Sequence, residues 1–244
     1  MYMKKQSLVY ALTLAFASIT MLGCESKSGS EAQVPGEEPT EINTEESAPA
    51  PEKMEAVCIW NNISVREEPS QKGKWLTSLS LGEQLTALNI TAKDSIKDRD
   101  YVKVILKDGT EGWSISSFIV TNASGAAVRD EANIYKRPDL LTKTDEAFSP
   151  TDIVAVIETD GDWALVKGQR TGDTWIDEGW VKSDNLSHDA VDMAVAKFAK
   201  EAFAKEDPAS QSGALEEILD NDDFGSSVFI PSLREKLTEL QSEL

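Results

Sequence analysis

A chain of 244 residues with a formal charge of −19 has room for one or two small domains rather than one large core. Residues 1–24 sum to +2, 25–56 to −7, 57–120 to zero, 121–187 to −6 and 188–244 to −8. No segment offers a Lys/Arg patch able to displace counterions from phosphates, which excludes nucleic acid as a partner and leaves solubility and self-repulsion as the meaning of the acidity.

Lys4 and Lys5 precede an apolar run from Leu8 to Leu22. That run is too short to cross a bilayer, which takes about 20 residues, and it reads as a secretory signal. It ends in Met21-Leu22-Gly23-Cys24, followed at once by polar sequence. These four residues resemble the lipobox of bacterial lipoproteins. The resemblance implies that residues 1–23 are removed and that Cys24 becomes an acylated N-terminus. Acyl chains contribute about 0.8 kcal/mol per buried CH₂, so two or more hold a protein at its membrane. Which membrane and leaflet carry the anchor stays open. With Cys24 acylated, only Cys58 is left and no internal disulfide can form. Cys58 lies in the apolar run Ala56–Trp60 and is expected to be a buried small hydrophobe.

From Cys24 to residue 56, Glu, Ser, Pro, Ala and Thr dominate, with Val34, Ile42 and Met54 as the only larger apolar residues. Such a segment cannot bury enough surface to offset its ordering entropy, so a disordered acidic spacer is expected over 24–56.

At Val57 the texture changes. Val57–Trp60, Ile63–Arg66, Trp75–Leu79, Leu85–Ile90, Asp100–Leu106 and Gly112–Ile115 are short β-branched and aromatic runs divided by Gly, Pro and Asp. This spacing predicts a small all-β unit over 57–120, and Asp108-Gly109 is a strong hairpin signal. Val65-Arg66 to Pro69, Gly82-Glu83, Tyr101 to Val104 and Asp108-Gly109 to Gly112-Trp113 together resemble the bacterial SH3-like domain, SH3b. The resemblance implies a five- or six-stranded barrel and a place in the cell envelope.

A second copy is expected over 121–187. Asn133-Ile134 through Pro138 answers Ser64-Val65 through Pro69, Asp162 to Val166 answers Asp100 to Val104, and Gly179-Trp180 answers Gly112-Trp113. The offset changes at Thr91–Arg99 and at Gly168–Thr174, where loops are expected. The predicted fold class is therefore mainly β: two small SH3-like barrels in tandem, then a short helical C-terminal segment.

Units of about sixty residues sit near the lower limit for independent folding. A buried Trp would contribute on the order of 4–6 kcal/mol to such a unit. Trp113 and Trp180, with Tyr101 and Trp163, are accordingly expected in the cores, a role that outweighs ligand contact for them. Trp60, Trp75, Tyr135 and Trp175 fall outside the repeated pattern and are the candidate ligand contacts, or else line the seam between the units.

In 188–244, Val191, Ala194, Val195, Phe198, Ala202 and Phe203 recur at three and four, predicting an amphipathic helix from Asp189 to Lys205, closed before Pro208. A shorter helical piece is expected over Ala214–Leu219, and Ser232 to Glu235 has capping-box spacing ahead of a leucine stripe. Their apolar faces are expected to pack together or on the second unit.

Catalytic patterns are missing. His188 is the single histidine, and with Cys58 it cannot build a usual zinc site. Asp220–Gly225 lacks the ligand spacing of a calcium loop. No metal, cofactor or enzymatic activity is expected. The reading is a membrane-anchored envelope protein that binds cell-wall peptide or glycan, or an envelope protein, as the SH3b resemblance implies. The alternatives are an assembly factor using its C-terminal helices and a surface-exposed adhesin.

Overall fold

The computed structural model describes residues 50–94 and 97–242. The predicted signal over 1–23, the lipid site Cys24 and most of the spacer lie outside the described residues.

Among the described residues, fourteen strands are followed by three helices. The first seven are β1 Lys53–Cys58, β2 Ile63–Arg66, β3 Trp75–Leu79, β4 Gln84–Asp94, β5 Arg99–Ile105, β6 Glu111–Ile115 and β7 Ile119–Thr121. They form one antiparallel sheet in the order β3-β2-β6-β5-β4-β1-β7. The next seven are β8 Ser124–Val128, β9 Ala132–Tyr135, β10 Lys143–Phe148, β11 Ile153–Asp160, β12 Trp163–Gly168, β13 Asp177–Lys182 and β14 Leu186–Ser187. Their order, β10-β9-β13-β12-β11-β8-β14, repeats the first sheet strand for strand. Each copy also places a short 3-10 turn before its last strand, Ser116–Phe118 in one and Ser183–Asn185 in the other. The repeat read from the sequence is thus a repeat of topology.

The turns follow their chemistry. Gly109 takes φ +85° in the β5–β6 hairpin, where the Asp108 carboxylate accepts the Thr110 N–H at 2.8 Å. The length change near Thr91–Arg99 is a hairpin extension, with β4 and β5 still paired from Thr91↔Val102 to Asp94↔Arg99. In the second sheet β11 and β12 meet in a tight turn at Asp160↔Trp163.

The expected spacer ends earlier than residue 56. β1 starts at Lys53, pairing with β4 from Lys53↔Leu88 to Val57↔Gln84. Polar residues stay in this strand because β4 supplies the backbone partners, a long-range contribution that composition does not encode.

The apolar run at 56–59 is buried on both sides. Ala56 and Cys58 enter the first core with Val65, Leu79 and Val104, while Val57 and Ile59 face a second cluster with Ala123 and Ala155. β11 does the same in the second copy: Val154 and Val156 face its core, Ala155 the shared cluster, and Ile153 the helices. Strand alternation thus sends odd and even residues to different cores. The seam between the sheets is aliphatic.

The tail forms α1 Ala190–Phe203, α2 Pro208–Leu219 and α3 Ile230–Ser242. Val195, Ala199, Leu215, Ile218, Phe229 and Leu233 pack with Ile153 and Ala127 of the second sheet and Leu81 of the β3–β4 turn. The Met193 methyl lies against Gly125, where a Cβ would meet it at 2.6 Å and have to displace it. Asp189 caps α1, accepting from the N–H groups of Val191 and Asp192. α2 starts at Pro208 rather than near Ala214. Pro at the first helical position loses no hydrogen bond, and Asp207 caps it by accepting the Ser210 N–H at 2.8 Å. The Ser232–Glu235 capping box does not form; Ser232 is inside α3 and its hydroxyl donates to the Phe229 carbonyl at 2.9 Å. Every core cluster lies within the compact unit Ala48–Leu244.

Candidate binding surface

The repeated Gly-Trp pair is placed by the two-residue period of a strand. In β6, Gly112 and Ser114 point inward and Trp113 points outward. A Cβ at Gly112 would lie 2.5 Å from Val65 Cγ1 and 2.8 Å from the Arg66 carbonyl oxygen. In β13 a Cβ at Gly179 would collide with Ile134 Cγ2. The glycine is therefore the core residue, needed for close approach of β2 or β9. Trp113 and Trp180 are half-buried on the outer faces, which corrects their expected core placement: next to an inward glycine the ring has only the opposite face available. Trp163 is also half-buried and outside, since Ala164 and Val166 hold the inward positions of β12. Tyr101 is buried as expected, at 2% exposure, but on the strand face opposite the core residues Val102 and Val104.

These placements create a cross-strand row on each sheet. In the first, Trp75 opposes Arg66, Arg66 opposes Trp113, and Trp113 opposes Lys103. With strands about 4.8 Å apart, the backbone positions of Trp75 and Trp113 stand roughly 10 Å apart with Arg66 between them. Arg66 Nη1 donates to the Gly73 carbonyl at 2.7 Å, and Trp75 Nε1 to Ser78 Oγ at 3.2 Å. In the second sheet the row is Lys143, Tyr135, Trp180 and Leu165. Tyr135 meets Trp163 edge-on, centroids 4.8 Å apart, and Lys182 Nζ sits 3.9 Å over the Trp163 ring.

The four candidate ligand aromatics are not brought together. Trp75 is 57% exposed and heads the first row. Tyr135 is in the second row but buried by its neighbours. Trp60 is half-buried against Phe118, centroids 5.3 Å apart. Trp175 is 56% exposed in the loop after β12. In that loop Arg170 is held by Asp177 at 2.6 Å, Asp173 at 2.8 Å and Glu146, and the Asp177 hydrogen bond leads in raising its pKa. Missing from the expected contacts were Arg66, Trp113, Trp180 and Lys182. Strand alternation beside an inward glycine was the signal for both tryptophans.

Cys58 Sγ donates to the Trp60 carbonyl at 3.1 Å, and burial first, with Glu83 adding, pushes its thiol up to about 11. It is a packed hydrophobe, not a nucleophile. His188 Nδ1 lies 3.2 Å from the Gly125 carbonyl oxygen. Among the described residues no three His, Cys, Asp or Glu side chains are grouped to hold a metal ion, and no helix is long and apolar enough to cross a membrane.

No family model matches the chain, and no curated protein does. Among solved structures, NlpC2 from Trichomonas vaginalis aligns at 9% identity and TM-score 0.26, over 68% of this chain and 56% of that one. NlpC1 from the same organism aligns at 12% identity and TM-score 0.25, over 65% and 55%. The chain thus spans little more than half the length of either. Likeness this slight assigns no chemistry.

Proposed function

We propose that this chain is a non-catalytic, lipid-anchored envelope protein whose two sheets are tandem SH3-like (SH3b) barrels presenting an aromatic face to cell-wall peptide or glycan. The observation that carries the reading is the row Trp75–Arg66–Trp113–Lys103, with its counterpart centred on Trp180. In the first row flat apolar rings alternate with cations, which suits ligands that are both ringed or methylene-rich and carboxylated. The identical strand order supports two copies of one module, and the lipobox resemblance at Cys24 supports the anchor. The test is sedimentation of the soluble unit Ala48–Leu244 with purified peptidoglycan. Binding that persists at moderate salt is expected; no co-sedimentation at any salt would remove the wall reading.

One feature favours the assembly-factor reading. Between α1 and α2 an open cleft of about 400 Å³ has Phe198, Ala202, Ala214, Ile218 and Phe224 in its lining, with Glu201, Lys205, Glu217 and Asn221 among them. Crosslinking in cells that recovers one protein and no wall material would decide for it.

A further inference from the structure

The connection between β9 and β10 is a short 3-10 turn, Leu140–Thr142, built to hold two leucines in solvent. Leu140 is 63% exposed and Leu141 93%, the latter the most exposed large apolar side chain among the described residues. The turn is ordered by its own hydrogen bonds. The Asp139 carboxylate accepts the Leu141 N–H at 3.0 Å. Thr142 Oγ1 lies 2.8 Å from the Asp139 carbonyl oxygen and 3.0 Å from that of Arg137, and the Thr142 N–H reaches the Asp139 carbonyl at 3.0 Å. Few backbone states would have to be frozen for this tip to bind something, which lowers the entropic cost of its contacts.

Its charge is opposite to that of the chain. Lys136, Arg137 and Lys143 flank the leucines, all three are exposed, and none forms an ion pair among the described residues. Acidic side chains nearby are Asp139, engaged in the turn, and the exposed Asp145 and Glu146, the latter paired with Arg170. A local cationic collar around an apolar tip thus stands out from a segment, 121–187, that carries −6. Apolar residues that enter the acyl boundary, with cations at headgroup level, are the pattern of interfacial membrane contact.

We propose that the Leu140-Leu141 tip docks on an anionic lipid surface, the leucines entering the bilayer interface and Lys136, Arg137 and Lys143 meeting the headgroups. The site needs no acylation. If the anchor reading is also right, the tether keeps this tip within reach of the same bilayer and raises its effective concentration there, so the second sheet is held at the surface in one orientation.

The test uses the soluble unit Ala48–Leu244, which lacks Cys24 and so separates this contact from the anchor. It is sedimented with vesicles of phosphatidylcholine alone and of phosphatidylcholine with phosphatidylglycerol in equal parts. Binding to the mixed vesicles is expected to exceed binding to phosphatidylcholine alone. The double substitution Leu140→Glu/Leu141→Glu should lower the partition coefficient more than about tenfold, with melting unchanged because both side chains are in solvent. Lys136→Ala should weaken it about fivefold and leave less preference for the anionic lipid. Partition of the double-glutamate variant equal to that of the parent, or no partition of the parent into either vesicle, would overturn the proposal. So would a variant that keeps its vesicle partition but loses co-sedimentation with peptidoglycan, since that result would assign the leucines to a wall contact. Failure of wall binding by the parent, with vesicle partition intact, would remove the wall reading and leave this one standing.

Discussion

Lys200 of α1 closes a buried ion pair with Asp152, Nζ to Oδ1 2.8 Å, and the Asp152 side chain is fully shielded from solvent. The same carboxylate accepts the Ser149 N–H at 2.9 Å, the Thr171 N–H at 3.2 Å and the Thr171 hydroxyl at 2.7 Å. One side chain thereby joins the turn before β11, the loop after β12 and the helical segment.

Removing either partner should be costly, but unequally. Lys200→Met leaves a buried carboxylate with three hydrogen bonds and is expected to cost about 1–3 kcal/mol. Asp152→Ala removes all four of these contacts at once, leaves Lys200 with the Gln169 carbonyl at 3.3 Å, and should cost about 3–5 kcal/mol. Urea unfolding of both variants checks the order. A neutral Lys200→Met would mean that the pair does not tie the helices to the sheet.

In the Gly-Trp strand the small residue should matter more than its size suggests. Gly112→Ala forces the methyl into Val65 and the Arg66 backbone and is expected to cost about 1–3 kcal/mol. Trp113→Ala should fall short of the 3–5 kcal/mol typical of a buried aromatic, about 1–2 kcal/mol, since its ring is half in solvent. Ser114 is buried and its hydroxyl finds no partner among the described residues. Val181 occupies the equivalent inward position of the second sheet. Ser114→Ala should therefore stabilise the first sheet by up to about 1 kcal/mol, read as a higher denaturation midpoint.

Asp192 predicts a defined pH dependence. Burial pushes its carboxyl up, but the Ser187 hydroxyl at 2.5 Å, the Ser227 hydroxyl at 2.8 Å, the Val228 N–H at 2.9 Å and the charge of Arg129 outweigh burial and hold it below the ordinary 3.8. As pH falls, the unfolded chain takes this proton before the folded one does. The stabilisation is complete above the ordinary value and disappears as pH falls through the lower folded value. The stability gap between the parent and Asp192→Asn should be constant at neutral pH and narrow below about pH 4. A gap that widens there would reverse the assignment.

The mainly β character and the repeat were legible because turn residues and the Gly-Trp pair mark fixed points in each sheet, and α1 because its apolar period is unbroken. The outward tryptophans were misplaced because residue size was weighed above the two-residue period: Glu-Gly-Trp-Ser-Ile alternates correctly only with Gly and Ser inside. The polar start of β1 and the early start of α2 at Pro208 depend on a distant strand and on a cap, and neither leaves a hydrophobic pattern. The cross-strand rows depend on register between strands far apart in sequence, such as Arg66↔Trp113, which no local pattern carries.

Trp75 and Trp175 are equally exposed but differently placed, and this separates a surface ring from a binding ring. Each replaced by Ala should leave thermal stability within a few degrees of the parent, because a side chain already in solvent gives up little apolar burial. Trp75 has a second indole two strands away across Arg66 on the same sheet face. Trp175 instead lies in the loop between β12 and β13, outside either cross-strand row. If the row is the wall-binding face, Trp75→Ala should weaken co-sedimentation with peptidoglycan by about tenfold, the loss of one aromatic anchor. Trp175→Ala should leave it unchanged. Equal losses from both would move the site off the row and onto both exposed rings. A loss from Trp175→Ala alone would place it in the loop after β12.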